Sequence, residues 1–97
     1  MDFFNNAIEC LPKFCDYIEP TAKRSGITPR AAFFLFVLSE YPYYIDFYFF
    51  NDNVTVDELI KKGCILNEGG RFSFTSKGAI VTKSIITAKQ KFELQNN

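Results

Sequence analysis

Apolar residues near the N-terminus return at steps of three and four, which predicts one buried face of a helix over residues 1–25. Pro12 predicts a kink or a restart within this helix, with the proline in a first turn. Pro20 allows a last short turn to open before Ser25-Gly26 ends the helix.

The next segment, residues 31–38, is apolar at nearly every position. A helix without a polar face is typically buried on most sides, so we expect a central helix here. Thr28 and Pro29 define its start, because the hydroxyl can cap the helix and the proline lacks an N–H that the first turn does not need. Tyr41-Pro42 ends it.

The aromatic segment of residues 43–50 fits two structures. Its ring content favours a strand, whereas a helical turn would place Ile45 and Phe49 inward. Both alternatives stay open. The polar run of residues 51–53 predicts a turn.

A second capped helix follows this turn. Thr55 and Glu58 have the spacing of a capping box, in which Thr55 is the N-cap and Glu58 reaches back to it. Lys61 and Lys62 suit the negative end of the helix, and Gly63 supplies a left-handed stop.

Residues 64–67 and 71–75 then alternate in polarity around Glu68-Gly69-Gly70, which predicts a β-hairpin. Phe72 and Phe74 share one face of it and should lie on the core.

The last segment begins with Thr75 or Ser76 as a helix cap. Apolar residues at helical spacing predict a helix over residues 76–94. These residues are Val81, Ile85, Ala88 and Phe92.

Composition indicates one small domain with a ring-rich core. The chain has 97 residues, with 12 Phe, 5 Tyr and a formal net charge of zero. Charge is nevertheless uneven: residues 1–60 carry four basic and nine acidic residues, a net −5, and residues 61–97 carry seven basic and two acidic residues, a net +5. A polyanion would therefore meet the C-terminal third.

Residues 31–50 form the longest apolar stretch, but two carboxylates and a proline interrupt it. Glu40 and Asp46 each cost about 3 kcal/mol on insertion into a bilayer, which offsets the apolar gain. The N-terminus has no basic segment of the kind that opens a secretory signal. We therefore expect a cytoplasmic protein without a membrane partner.

The sequence contains few of the residue types and motifs that catalytic and metal-binding sites use. The sequence contains no His for general-base work and no glycine-rich phosphate loop after a strand. Cys10, Cys15 and Cys64 form an odd set without CxxC spacing, as expected for reduced core cysteines in the cytoplasm. We expect no enzymatic activity, no cofactor and no metal.

Two short runs carry a family resemblance: Leu59-Ile60-Lys61-Lys62-Gly63-Cys64-Ile65 and Phe72-Ser73-Phe74-Thr75-Ser76-Lys77-Gly78. They resemble the lysine-glycine runs of winged-helix regulators of the MarR-like and PadR-like bacterial families, and Ile27-Thr28-Pro29, before an apolar helix, resembles the start of the central helix in that group. The likeness covers residues 27–94.

The resemblance implies a mainly α fold with a small β-hairpin (α+β), arranged as a trimmed winged helix-turn-helix with long terminal helices. Within a single domain over residues 1–97, it assigns four parts. These are an N-terminal helix (1–25), a helix-turn-helix-like core (28–63), a wing hairpin (64–75) and a C-terminal helix (76–94).

The resemblance also implies a small DNA-binding transcription regulator. Its recognition helix would begin near Asn51 and run through Glu58, where Asp52, Asp57 and Glu58 oppose a phosphate lattice. Double-stranded DNA would be the partner of a basic wing. The candidate DNA-binding residues are Asn51, Asn53, Thr55, Lys61, Lys62, Arg71 and Lys77.

A winged-helix adaptor that binds protein rather than DNA is the alternative, for example a phage-type protein that binds a host or viral partner. Tyrosine is enriched at protein interfaces because it is rigid and half polar. Homodimerisation through the terminal helices fits either function. The candidate protein-interface residues are Tyr41, Tyr43, Tyr44 and Tyr48.

Overall fold

The computed structural model describes residues 11–95, with side-chain environments from residue 18 onward. Within this range the chain is mainly helical and carries one antiparallel hairpin, which confirms the mainly α class with a small β-hairpin. The helix predicted over residues 1–10 lies outside the described residues. In chain order, the elements are α1 (Leu11–Ser25), α2 (Pro29–Glu40), a 3₁₀ turn (Pro42–Tyr44), α3 (Ile45–Phe49), α4 (Asn53–Lys61), β1 (Ile65–Glu68), β2 (Arg71–Phe74) and α5 (Ser76–Gln95).

Helix α2 is the centre of the core, as its apolar pattern predicts. Every side chain from Ala31 to Val37 is buried, and α1, α3, α4 and α5 all pack against this helix. The Thr28 hydroxyl accepts a hydrogen bond from the Ala31 N–H at 3.2 Å, with Pro29 as the first helical residue. The predicted start of the helix is therefore confirmed.

Residues 43–50 adopt the helical alternative rather than a strand. Ile45 and Phe49 lie one turn apart and are both buried. The Phe49 ring meets Phe34 of α2 edge-on, with 4.8 Å between ring centroids. Contact with α2 is thus what decides between the two structures, since β-propensity is weaker than packing.

Helix α1 ends where Ser25-Gly26 predicts. Gly26 has a φ of 74°, and the Ile27 N–H donates to the Ala22 carbonyl at 3.0 Å, which is the Schellman arrangement. The last short turn allowed for at Pro20 is wrong, because α1 runs through Pro20 without a break. Buried neighbours at Thr21 and Ala22 hold this turn against the core and offset the hydrogen bond that the proline lacks.

The capping box predicted at Thr55 is also wrong. Asp52 is the N-cap of α4: it accepts from the Thr55 N–H at 3.1 Å and from the Thr55 hydroxyl at 2.8 Å. Asp is as good a cap as Thr, and starting at Asp52 lengthens the helix. Glu58 instead accepts from the Thr28 N–H at 2.7 Å and the Thr28 hydroxyl at 2.9 Å.

Helix α4 stops at Gly63 as predicted. Gly63 has a φ of 71°, and the Cys64 N–H donates to the Leu59 carbonyl at 2.9 Å. The chain then enters the predicted hairpin, whose register pairs Ile65 with Phe74 and Glu68 with Arg71.

The hairpin turn is Gly69-Gly70, in which both φ angles are positive, as a two-residue type I′ turn requires. Phe72 and Phe74 lie against the core, and Phe72 meets the Phe34 ring edge-on at 5.4 Å. Both predictions for this segment are confirmed.

Four residues, Gly63, Cys64, Thr75 and Gly78, form a compact corner where α4, the hairpin and α5 meet. Thr75 caps α5 by accepting from the Gly78 N–H at 3.0 Å, and its own hydroxyl donates to the Gly63 carbonyl. The Thr75 N–H donates to the Cys64 carbonyl at 3.1 Å. A Cβ on Gly78 would overlap that carbonyl oxygen and lie 2.8 Å from its carbon, so only glycine fits.

Candidate nucleic-acid interface

The two predicted asparagines lie on the surface at the start of α4. Asn51 is exposed in the turn before the helix and has a φ of 58°, a left-handed conformation that asparagine tolerates better than most residues. Asn53 is exposed at the first helical position. Both amides are accessible to a ligand.

Thr55 is not accessible. Its side chain is only 4% exposed, and its hydroxyl is bound to Asp52. The residue stabilises the first turn of α4 from the inside. The prediction that Thr55 contacts DNA is therefore wrong, because its side chain is not on the surface.

Asp52, the N-cap of α4, is one of the three acidic residues of this region and is partly buried. Its carboxylate accepts from Arg30 Nε at 2.6 Å, and its side chain is 17% exposed. The Arg30 guanidinium also donates to the Tyr48 carbonyl at 3.1 Å and lies 4.7 Å from the Phe49 ring centroid. Burial raises the pKa of Asp52, but hydrogen bonds from Arg30 and Thr55 outweigh it and hold the pKa below 3.8.

Glu58 is likewise engaged, because it binds Thr28 at the N-terminus of α2. The positive end of that helix favours a carboxylate there. Asp57 alone of the three acidic residues is exposed. Asp52 is therefore paired with a cation and Glu58 lies at a helix N-terminus, which reduces but does not remove the acidity of α4.

The four predicted cations, Lys61, Lys62, Arg71 and Lys77, are all exposed. Within residues 18–95, the ion pairs are formed by other residues, so these four cations are not neutralised there. Three of them cluster near the corner, and Arg71 lies at the hairpin turn, opposite Glu68 in the register. Three residue steps along a strand place it about 10 Å from the base of the hairpin.

The corner itself is electrostatically mixed. Burial raises the pKa of the Cys64 thiol, and the negative charge of Glu58 adds to this rise. The positive charges of Lys77 and Lys62 oppose it. The Lys62 Nζ also lies 3.8 Å from the position of a Cβ on Gly26, so this lysine reaches across to the end of α1.

A groove of about 260 Å³ separates the α3–α4 turn from the hairpin. Phe34, Phe49 and Phe72 contribute to its lining, together with the amides of Asn51, Asn53 and Asn67. Sequence reasoning missed Asn67, whose side-chain oxygen accepts from the Gly70 N–H at 3.1 Å. The sequence could have indicated this bond, because an asparagine three residues before the second glycine of a turn can accept from the backbone N–H of that glycine.

The predicted interface tyrosines separate into two groups. Tyr43 is 94% exposed, whereas Tyr41, Tyr44 and Tyr48 are half-buried and pack against the core. Burial raises the pKa of the Tyr41 phenol, with Glu40 adding to the rise and Lys89 opposing it. Burial, with a smaller contribution from Tyr44, also raises the pKa of Tyr48.

Exposed large apolar side chains are concentrated in this stretch of the sequence, and apart from Tyr43 the sequence pattern did not single them out. Among the described residues, eight large apolar side chains are exposed, and six of them fall between positions 43 and 66. The exposure of those near α3 could have been predicted, because they do not share a helical face with the buried residues Ile45 and Phe49. The six are Tyr43, Phe47, Phe50, Val54, Ile60 and Leu66.

The chain matches no protein-family model, no curated protein and no solved structure. None of the helices in the described part of the chain is both long and apolar enough to cross a membrane. Nor do three His, Cys, Asp or Glu side chains of residues 11–95 group closely enough to hold a metal ion. The surface between α4 and the hairpin must be interpreted from its own chemistry.

Proposed function

We propose that this chain is a small, non-catalytic winged-helix protein that binds double-stranded DNA and regulates transcription. In this proposal α2, α3 and α4 form the helix-turn-helix core, α4 is the recognition helix, and the hairpin is the wing. The order of elements from α2 to α5 supports it. So do the tight corner at Gly63 and the direct passage from Thr75 into α5.

The observation that carries the proposal is the internal use of two acidic side chains of the α4 region. Asp52 binds Arg30 and Glu58 binds Thr28, so neither needs to face a phosphate backbone. The Arg30 guanidinium compensates the charge of Asp52, and the bonds to Thr28 hold Glu58 at the start of α2, where the positive end of the helix offsets part of its charge. The exposed carboxylate of Asp57 would still repel the DNA phosphates.

The cations supply the attraction. Lys61, Lys62 and Lys77 would meet phosphates beside the corner, and Arg71 would meet the backbone or a minor groove at the wing. Asn51 and Asn53 are the side chains best suited to base edges, because an amide can donate to and accept from adenine. Since these base contacts are few, we expect phosphate contacts to dominate affinity.

A titration with mixed-sequence duplex DNA at low salt tests the proposal. The wild-type protein should bind, and its affinity should fall linearly on a log–log plot as salt rises. A variant with Lys61, Lys62, Arg71 and Lys77 changed to Ala should bind weakly. Its slope should be reduced by about 0.9 for each phosphate that the protein no longer neutralises.

A second variant, which loses lysines outside the proposed interface, controls for the general effect of removing positive charge. Lys23 is exposed, Lys89 is ion-paired with Glu93, and both lie outside the proposed DNA-binding set, so their double Ala variant should keep most of the affinity. Absence of wild-type binding at low salt would overturn the proposal. So would equal losses in the two variants, provided that circular dichroism shows both to be folded.

Protein binding is the second candidate, and the exposed apolar side chains between positions 43 and 66 favour it. Three of them, Tyr43, Phe47 and Phe50, are rings from one short stretch, and exposed aromatic side chains are typical of interaction surfaces. Serine at Tyr43 and Phe50 should then abolish capture of a protein partner and leave DNA affinity unchanged. Serine at Ile80, an exposed apolar residue on α5, is the control.

A further inference from the structure

A second surface with a consistent chemistry lies between α1 and α5, where a groove of about 570 Å³ runs along the two helices. Its described lining includes the apolar side chains of Ile80 and Ala88, three cationic side chains and no carboxylate. It also includes three hydroxyl side chains. The six cationic and hydroxyl residues are Arg24, Lys83 and Lys91, and Thr21, Ser84 and Thr87.

Helical geometry aligns the α5 side of this groove. Lys83, Thr87 and Lys91 follow one another at steps of four, so they project from the same face of the helix. The two lysines are eight residues apart, which is about 12 Å along the helix axis. An elongated anion, or several phosphate groups in a row, would fit this spacing better than a single small ion.

The α1 side contributes a guanidinium that the fold holds in place. Arg24 donates from Nη2 to the Thr21 hydroxyl at 3.3 Å, and Thr21 is itself buried. This bond leaves the rest of the planar fork of donors for a ligand. Arginine in this position is suited to two oxygens of one phosphate.

The absence of acidic side chains from the described lining distinguishes the groove from an ordinary solvated surface, on which both signs are usually mixed. The contrast exists within α5 itself: Lys89, which does not line the groove, forms an ion pair with Glu93 one turn later. Lys83 and Lys91 form no ion pair within residues 18–95. Like charges in a concave site repel each other until an anion enters.

The same charges argue against a second copy of the chain as the occupant. A twofold contact presents one patch to itself, so it would place the three cations of one copy opposite those of the other. Homodimerisation through the terminal helices fits either candidate function, but across this groove it would be electrostatically unfavourable. Charge complementarity favours an anion.

We propose that the α1–α5 groove binds a phosphate-bearing anion. Arg24 grips one phosphate, Lys83 and Lys91 neutralise charge along the groove, and Ser84 and Thr87 offer hydroxyl donors. The phosphate belongs either to a free phosphorylated molecule or to a nucleic-acid backbone. This site is separate from the α4–hairpin surface and goes beyond the function proposed above.

Tripolyphosphate is the probe for a free phosphorylated molecule, and a mixed-sequence DNA duplex is the probe for a backbone. In a ¹⁵N NMR titration at constant ionic strength, tripolyphosphate should shift the amide signals of Thr21, Ser84 and Thr87. The double variant Lys83→Gln/Lys91→Gln should weaken this binding at least tenfold, because it removes two charge-assisted hydrogen bonds to the anion. The double variant Lys23→Gln/Lys61→Gln removes the same charge outside the groove and should bind as the wild type does.

Competition between the probes identifies the source of the phosphate. If saturating DNA displaces tripolyphosphate from these signals, the backbone is the ligand; if both bind together, a free phosphorylated molecule is. The absence of any shift, or affinities within threefold for wild type and Lys83→Gln/Lys91→Gln, would overturn the proposal. So would shifts of the same signals with protein concentration alone, which would reveal a second copy in the groove.

The quadruple Ala variant at Lys61, Lys62, Arg71 and Lys77 separates this proposal from the proposed function. It should lose duplex binding at the α4–hairpin surface and keep tripolyphosphate binding. Loss of both would show that the groove is not an independent site.

Discussion

The corner and the α3 segment (residues 42–50) are held together in different ways. At the corner, backbone groups meet directly: the Cys64 carbonyl accepts from the Thr75 N–H and lies close against Gly78. The α3 segment is held mainly by side chains, because Ile45 and Phe49 are its buried residues. Arg30 links its end to Asp52 from the neighbouring helix.

This difference teaches where the protein tolerates change. A backbone contact leaves no room for adjustment, so one added methyl group at the corner has to displace main chain. Side-chain contacts are shared among several partners, and the removal of one is partly compensated by the others. We therefore expect steep effects at the corner and graded ones in the α3 segment.

The largest effect is expected for Gly78→Ala. Glycine to alanine inside a helix normally stabilises by about 1 kcal/mol. Here the new Cβ would overlap the Cys64 carbonyl, so we expect a loss of about 3 kcal/mol in the free energy of unfolding. Urea denaturation followed by circular dichroism measures it.

Gly63→Ala is the matched control for this substitution. A Cβ at Gly63 meets open space, but its φ of 71° disfavours alanine and predicts a loss of only about 1–2 kcal/mol. A stable Gly78→Ala variant would show that α5 does not approach Cys64 so closely.

A smaller loss is expected for Asp52→Ala. The substitution removes the N-cap of α4 and the partner of Arg30, and caps of this kind contribute about 0.5–2 kcal/mol. Asp57→Ala, at an exposed position of the same helix, should change stability by less than about 0.5 kcal/mol. Equal effects of the two substitutions would contradict the assignment of Asp52 as the cap.

The same carboxylate predicts a dependence on pH. Because the folded-state pKa of Asp52 lies below 3.8, its contribution is fully present above that pH and is lost as pH falls through the folded-state pKa. The difference in unfolding free energy between wild type and Asp52→Asn should therefore shrink between neutral pH and pH values below 3.8. A difference that stays constant in acid would show that the charge of Asp52 does not stabilise the fold.

The smallest effect on stability is expected for Phe50→Ser. Phe50 is 77% exposed, and polar substitution at such a position usually changes stability by less than about 0.5 kcal/mol. A thermal melt that matches the wild type would leave this residue free to be tested for partner binding alone. A large loss would instead show that the ring supports the α3 segment.

The sequence predicts the corner well because its signals are local. Gly63 as a helix stop, Thr75 or Ser76 as a cap and the glycine pair of the nearby hairpin turn each depend on residue type at neighbouring positions, whereas the close approach of Cys64 to Gly78 does not. The buried run of α2 is equally clear, since no polar face interrupts it. These parts of the fold could be assigned without knowledge of tertiary contacts.

Other features depend on residues far apart in the sequence. Asp52 is the cap rather than Thr55 partly because Arg30, 22 residues earlier, lies beside it. The Tyr48 ring packs edge-on against Phe33 because of the way α3 meets α2, which the pattern of α3 alone does not predict. Arg24 joins the lysines of α5 only when the two helices pack, so its part in the groove is invisible to a pattern.

The Cys64 carbonyl couples the orientation of the hairpin to that of α5. It fixes the root of the hairpin and the first turn of α5 to the same atom, so neither can turn without the other. Because α5 has 20 residues, its far end lies about 30 Å from that pivot. A tilt of about 5° at the pivot would therefore carry the end of the helix through about 2.5 Å, far more than any loop at the pivot would need to move.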